Sequence, residues 1–261
     1  MKEEEIKQAL LTYFRRKIPH DGKMRITAFD QPSSGWSDEI FSLDLQWQER
    51  ERTLRQSFVI RKHQKRGLMS DEHDLSTQFK VLQILSLENI LPLPKVYWYE
   101  EDETVLGSRF FVMEKLPGRS YVPWSSEGRR FFEQAYEHGE IPRQFVTFLA
   151  RLHQIDYQAL GLDKVLVVPE QGTGYIDRKL HMLERLYEKY RFSPDPVFVD
   201  ALEWLKKHRP PAQRYTLIHG DYRTGNMLYD GQQITGILDW EVVEIGDPMV
   251  DVAYVCAKAN R

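Results

Sequence analysis

A chain of 261 residues with 36 basic and 39 acidic side chains has a formal net charge of -3, too balanced to mark a partner of nucleic acid or anionic lipid. The single cysteine, Cys256, excludes an internal disulfide and a cysteine-rich metal site. No apolar run is long enough to span a bilayer and the start, Met1-Lys2-Glu3-Glu4-Glu5, lacks a signal-peptide core, so a cytoplasmic protein without a membrane partner is expected.

Residues 3 to 17 have helical periodicity, with Ile6, Leu10, Leu11 and Phe14 on one face and Arg15, Arg16 and Lys17 closing the last turn. The period then changes. Residues 24 to 30, 39 to 47 and 54 to 62 read as strands, the second alternating Phe41, Leu43, Leu45 and Trp47 on one face. Between the first two lies Gln31-Pro32-Ser33-Ser34-Gly35-Trp36-Ser37-Asp38, which fits either a plain hairpin turn or a loop whose backbone amides approach phosphates. Ser70 and Asp71 precede a helix of about 15 residues in which Leu75, Phe79, Leu82 and Leu85 share a side. Strands at 96 to 100 and 109 to 115 follow, and from Phe131 the pattern is helical. Within it, residues 145 to 162 carry a stripe of Leu149, Leu152, His153 and Ile155, with His153 read as a packed residue. Val250 to Ala259 reads as the last helix.

Chemistry concentrates near the end of the chain. Leu217-Ile218-His219-Gly220-Asp221-Tyr222-Arg223-Thr224-Gly225-Asn226 places a carboxylate and an amide five positions apart on a loop after a short apolar strand. Asp239 adds a second carboxylate after the strand Ile234 to Leu238. Kinases use this spacing to set a hydroxyl-orienting Asp beside a magnesium-binding Asn. Phosphoryl transfer asks the protein mainly to position a hydroxyl and neutralise phosphate charge, which suits these residue types.

His219-Gly220-Asp221-x4-Asn226, with Asp239-Trp240-Glu241 and Gly246-Asp247-Pro248-x2-Asp251, resembles the aminoglycoside phosphotransferase and choline kinase superfamily, which shares the protein-kinase fold. Tyr-Arg after the first Asp and Trp-Glu after the second most resemble the branch of kinase-like domains fused to acyl-CoA dehydrogenases. The resemblance runs from roughly residue 24 to the C-terminus. It implies an α+β, bilobal protein-kinase-like fold. Residues 1–116 would form an N-lobe with a five-stranded antiparallel sheet and a helix. Residues 117–261 would form a mostly helical C-lobe with the catalytic loop and part of the acceptor site.

Residue by residue, the resemblance makes Asp221 the acceptor of the substrate hydroxyl proton and Asn226 and Asp239 the ligands of Mg2+. Arg223 would neutralise charge during transfer. His219 would brace the loop, Tyr222 and Trp240 would pack, Asp247 would cap a helix and Asp251 would hold the loop backbone. Gly35 and Ser37 match the nucleotide loop, and Arg61 stands where a cation reaches the α- and β-phosphates. Glu114 and Lys115 match the hinge, whose backbone hydrogen-bonds the base of ATP or GTP without distinguishing them. The helix position for a cation-orienting Glu holds Gln78, so Arg61 would lean on the Gln78 amide or on Asp74 one turn earlier.

The implied activity is Mg-dependent transfer of a γ-phosphoryl group to the hydroxyl of a small molecule that is aminoglycoside-like, choline-like or a hydroxyacyl metabolite. Gln78 leaves open a nucleotide-binding regulatory module without turnover. Family members continue with further helices where Asn260-Arg261 ends this chain, so either the chain is truncated or residues 117 to 192 build the acceptor pocket.

Overall fold

The computed structural model describes residues 1–31, 38–64 and 74–257. The chain divides into two compact units, Met1–Phe145 with Gly225–Val242, and Val146–Thr224 with Val243–Arg261.

The first unit is built on an antiparallel five-stranded sheet in the order β1-β2-β3-β5-β4. These strands are β1 (Met24–Asp30), β2 (Asp38–Glu49), β3 (Arg52–His63), β4 (Val96–Glu100) and β5 (Phe110–Glu114). The alternation in β2 does what it predicts: Phe41, Leu43, Leu45 and Trp47 are all buried. Helix α1 (Glu3–Lys17) lays Ile6, Leu10, Tyr13 and Phe14 on the same core, with the Phe14 and Phe58 rings 4.9 Å apart and Tyr13 and Phe110 5.1 Å apart. β2 and β3 are joined through Arg50 and Glu51, whose φ values of 47° and 64° are the left-handed pair that a tight hairpin needs to match strand twist.

Because successive strand residues point to opposite faces, Arg61 lies across the sheet from Phe58 and Ile60. That second face is covered by α2 (Leu75–Glu88), whose Phe79 ring is 5.9 Å from Phe111. The helix starts where Asp74 accepts from the Ser76 amide at 3.1 Å and from the Ser76 and Thr77 hydroxyls at 2.8 Å each. The first unit also holds α3 (Ser126–His138) and the hairpin of β7 (Met227–Asp230) with β8 (Gln233–Ile237).

Helix α4 (Glu140–Leu152) contains the division between units. The sequence pattern extends this helix to residue 162, but it ends at Leu152. Asp156 Oδ1 instead accepts from the Gln158 and Ala159 amides at 3.1 and 3.0 Å, a local bond that competes with helix continuation. The second unit contains α5 (Gly174–Tyr190), α6 (Pro196–Lys207), α7 (Met249–Cys256) and an antiparallel pair, β6 (Thr216–Ile218) with β9 (Glu244–Gly246). A side chain at Gly246 would collide with the Tyr175 ring, so this close approach requires glycine. Among the described residues, no helix is long and apolar enough to cross a membrane.

Candidate active site

In the first unit, the β7–β8 hairpin brings two expected metal ligands to one end. Met227 pairs with Ile237, and the Asn226 carbonyl, one residue before β7, accepts from the Leu238 amide at 2.8 Å. Asp239 follows at once with φ 67°, a left-handed conformation that costs a non-glycine residue about 1–3 kcal/mol and clusters at functional sites. The next residues form a 3₁₀ turn, Trp240–Val242, pinned by the buried Trp240 indole donating to the Ile237 carbonyl at 2.9 Å. Hairpin and turn therefore fix Asn226, Asp239 and Glu241 within one short frame.

Arg61 reaches that frame from β3. Its Nε donates to Asp38 Oδ2 at 2.7 Å, and its Nη2 donates to Asp239 Oδ1 at 3.1 Å and to Glu241 Oε2 at 2.6 Å. Only 7% of the Arg61 side chain is exposed. Burial alone would lower its proton affinity, but the carboxylates of Asp239, Asp38 and Glu241 outweigh this and raise it, so the cation is secure. The partners differ from those expected. Asp74, assigned as a stand-in acid, spends its carboxylate on capping α2, and Arg61 is held instead by Asp38, Asp239 and Glu241. Gln78 is buried on α2, which packs against the turn carrying Glu241.

The second unit holds the loop after β6. Asp251, with no exposed surface, accepts from the His219 amide at 2.9 Å and the Gly220 amide at 2.8 Å, and lies 2.9 Å from His153 Nε2. His219 Nδ1 accepts from the Asp221 amide at 3.2 Å, the bracing role expected of it. Gly220 has φ 81°, which turns the chain sharply before Asp221. The Arg223 Nε lies 3.2 and 3.4 Å from the two Asp221 oxygens, so this cation and carboxylate are directly paired. Tyr222 is fully buried, as a packing residue should be. Asp247 does not take the N-cap position expected of it, which Pro248 occupies; from one residue earlier its Oδ1 accepts from the Met249 amide at 2.9 Å.

Gly35 and Ser37 lie outside the described residues. At the expected hinge, the Glu114 amide donates to the Lys95 carbonyl at 2.8 Å and the Lys115 amide to the Ser57 carbonyl at 3.3 Å. Those two N–H groups are committed to the sheet, so a base would have to meet other groups there. Asp38 and Glu241 are the site residues that sequence reasoning passed over. The signal for Glu241 was present in the Asp239-Trp240-Glu241 motif, whereas nothing local marks Asp38.

Asn226 and Asp239 offer one amide oxygen and one carboxylate, both hard donors and both fixed by the same hairpin. A small octahedral cation takes one or two protein carboxylates and completes its shell with phosphates and water, so this donor set fits magnesium brought in with a nucleotide. The three carboxylates around Arg61 also outnumber its single charge, which favours approach of a further cation.

On the second unit, Arg178, Lys179, His181, Met182 and Arg185 of α5, with Glu244 of β9, line a groove of about 510 Å³. Arg178 binds Glu244 at 2.9 Å and the Tyr175 hydroxyl donates to Glu244 at 2.7 Å. β9 pairs with β6, so the groove borders the ladder that leads into His219-Gly220-Asp221.

Comparison with known proteins agrees with this architecture. Residues 31–261 match the pattern of the phosphotransferase enzyme family. The chain is 31% identical over 237 residues to acyl-CoA dehydrogenase family member 10 of Mus musculus, covering 90% of this chain and 20% of that protein. It is 30% identical over 202 residues to family member 11 of Homo sapiens, covering 76% and 25%. The chain thus spans a fifth to a quarter of these curated relatives. An aminoglycoside 3'-phosphotransferase of Niallia circulans is 24% identical over 172 residues, covering 64% and 58%. Among solved structures, aminoglycoside phosphotransferase APH(4)-Ia in a ternary complex with ADP and hygromycin B superposes with a TM-score of 0.64 at 15% identity, covering 96% of this chain and 75% of that one. APH(2")-IIa with streptomycin and ATP gives 0.58 at 17%, covering 96% and 74%. The fold is that of the kinase-like phosphotransferases, and the chain belongs to the phosphotransferase enzyme family.

Proposed function

We propose that the chain is the catalytic domain of a small-molecule kinase that moves the γ-phosphoryl group of ATP or GTP to an alcohol. The observation that carries this reading is the braced loop: Asp251 binds two consecutive backbone amides, of His219 and Gly220, immediately before Asp221. Such a brace presents a carboxylate in one orientation, which hydroxyl activation requires. Residues 1–116 would serve the nucleotide and residues 117–261 the catalytic loop and acceptor.

In the proposed reaction, Asp221 takes the proton of the acceptor hydroxyl as that oxygen bonds to the γ-phosphorus. The bond from the γ-phosphorus to the bridging oxygen breaks, and the nucleoside diphosphate leaves with those electrons. Arg223 neutralises charge that develops on the transferring group and, through its pairing with Asp221, keeps the carboxylate aligned. Arg61 serves the α- and β-phosphates. Mg2+, held by Asn226 and Asp239, would screen phosphate charge.

The basic groove of Arg178, Lys179, His181 and Arg185 favours an acceptor that carries an anionic group. Of the acceptor classes considered, an acidic hydroxyacyl metabolite suits it better than a choline-like cation or a polycationic aminoglycoside such as those in the neighbouring structures. The test is a screen of hydroxyl compounds of each charge class for acceptor-dependent formation of nucleoside diphosphate. Turnover with anionic hydroxyl compounds is expected. Turnover confined to polycations would remove the groove from the acceptor site. A second reading, a nucleotide-binding module with little turnover, draws on Gln78 where an acid is usual, and it would gain if nucleotide bound but no acceptor were consumed.

A further inference from the structure

We propose that Glu241, supported by Asp38, orients Arg61 toward the nucleotide phosphates and so does the work for which α2 supplies only Gln78. The inference rests on the nucleotide-binding reading above and names positioning residues within it.

Three observations carry it. The first is how the guanidinium is gripped. Nε is bound to Asp38 and Nη2 to Asp239 and Glu241, which occupies one edge of the fork. Among the described residues no protein partner is recorded for Nη1, so its two N–H groups remain for a ligand oxygen. A planar fork fixed along one edge is pre-organised to donate from the other. The second is placement. Glu241 sits in the 3₁₀ turn Trp240–Val242, against which α2 packs, so the acid missing from the helix is supplied by its neighbour. The third is rigidity. Asp38 stands at the first position of β2, two residues before Ile40, which pairs with Arg61 across the β2–β3 ladder, and its side chain is only 9% exposed. A flexible surface pair would gain little from such contacts, but a buried one loses an aligned bond and leaves a charge unpaired when one partner goes.

The division of labour is specific. Asp239 is shared between Arg61 and the proposed metal, so its bond to Arg61 can yield when nucleotide arrives. The bonds from Glu241 and Asp38 then keep the cation in place.

The test is binding of ADP followed by calorimetry, with excess magnesium and separately with chelator, for the parent, Glu241→Gln, Arg61→Met and the double variant. Melting temperatures report folding independently. Glu241→Gln should weaken ADP binding about tenfold in both metal conditions, as expected for one charge-assisted bond lost. The double variant should bind no more weakly than Arg61→Met alone, because Glu241 acts through Arg61. Unchanged affinity in Glu241→Gln, additive losses in the double variant, or a loss confined to the magnesium arm would each overturn the proposal, the last by making Glu241 a metal ligand. If Glu241→Gln does not fold, Glu241→Asp, which keeps the charge but shortens the reach, takes its place in the same cycle. A parent that binds no nucleotide would refute the underlying functional reading instead.

Discussion

Asp251 accepts a hydrogen bond from the backbone amide of His219, thirty-two positions earlier, at 2.9 Å, and its other oxygen takes the Gly220 amide. A fully buried carboxylate that satisfies two backbone donors is costly to remove, because both donors lose their acceptor, and His219 is itself fully buried. Asp251→Ala should therefore lower stability by about 2–4 kcal/mol, taking roughly 1–3 kcal/mol for each abandoned buried donor with partial relaxation. Asp251→Asn, which keeps one acceptor oxygen, should lose less. Denaturant unfolding of the two variants checks this. Equal, small losses would mean the loop is held by other contacts.

Asp74 offers a test in the other unit. Burial pushes its carboxyl upward, but the hydroxyls and amides of Ser76 and Thr77 outweigh that and hold it below the usual carboxylate range. The sign follows directly: a depressed folded-state value adds stability above the ordinary carboxylate range, and that stability is lost as pH falls through the folded value. Asp74→Ala should cost about 1 kcal/mol near neutral pH, as for other helix N-caps, and the gap from the parent should shrink on acidification. Unfolding curves at neutral and acidic pH measure it, and a gap independent of pH would deny the cap its charge.

Magnesium with ADP should raise the melting temperature more than ADP with chelator if the hard oxygens of Asn226 and Asp239 hold the metal as proposed. Differential scanning fluorimetry gives the comparison. Identical shifts would leave Asn226 and Asp239 without their proposed metal.

The five strands and α1 are legible in the sequence because their periods are undisturbed: Phe41, Leu43, Leu45 and Trp47 alternate onto one core, and Ile6, Leu10 and Phe14 recur at helical spacing. The extension of α4 past Leu152 fails because the apolar stripe continues through His153 and Ile155 after the Asp156 side chain has already bonded its own backbone. The phosphotransferase loop is legible since its residues sit at short, fixed spacings. The grip on Arg61 is not, because the ion pair joins positions 180 apart and only the folded hairpin brings Glu241 to β3. The left-handed backbone of Asp239 is equally silent, for an Asp carries no mark of a φ of 67°. Gln78 misleads for the same reason, since its neighbours along the chain give no hint that the acid comes from another element.

The most direct test of phosphoryl transfer at this site is the steady-state rate of nucleoside diphosphate formation by Asp221→Asn, measured with the acceptor found in the hydroxyl screen alongside nucleotide affinity. If Asp221 takes the hydroxyl proton without binding nucleotide, turnover should fall by at least about a hundredfold while nucleotide affinity stays within a few-fold of the parent. A variant that turns over at the parent rate would contradict a catalytic role for Asp221.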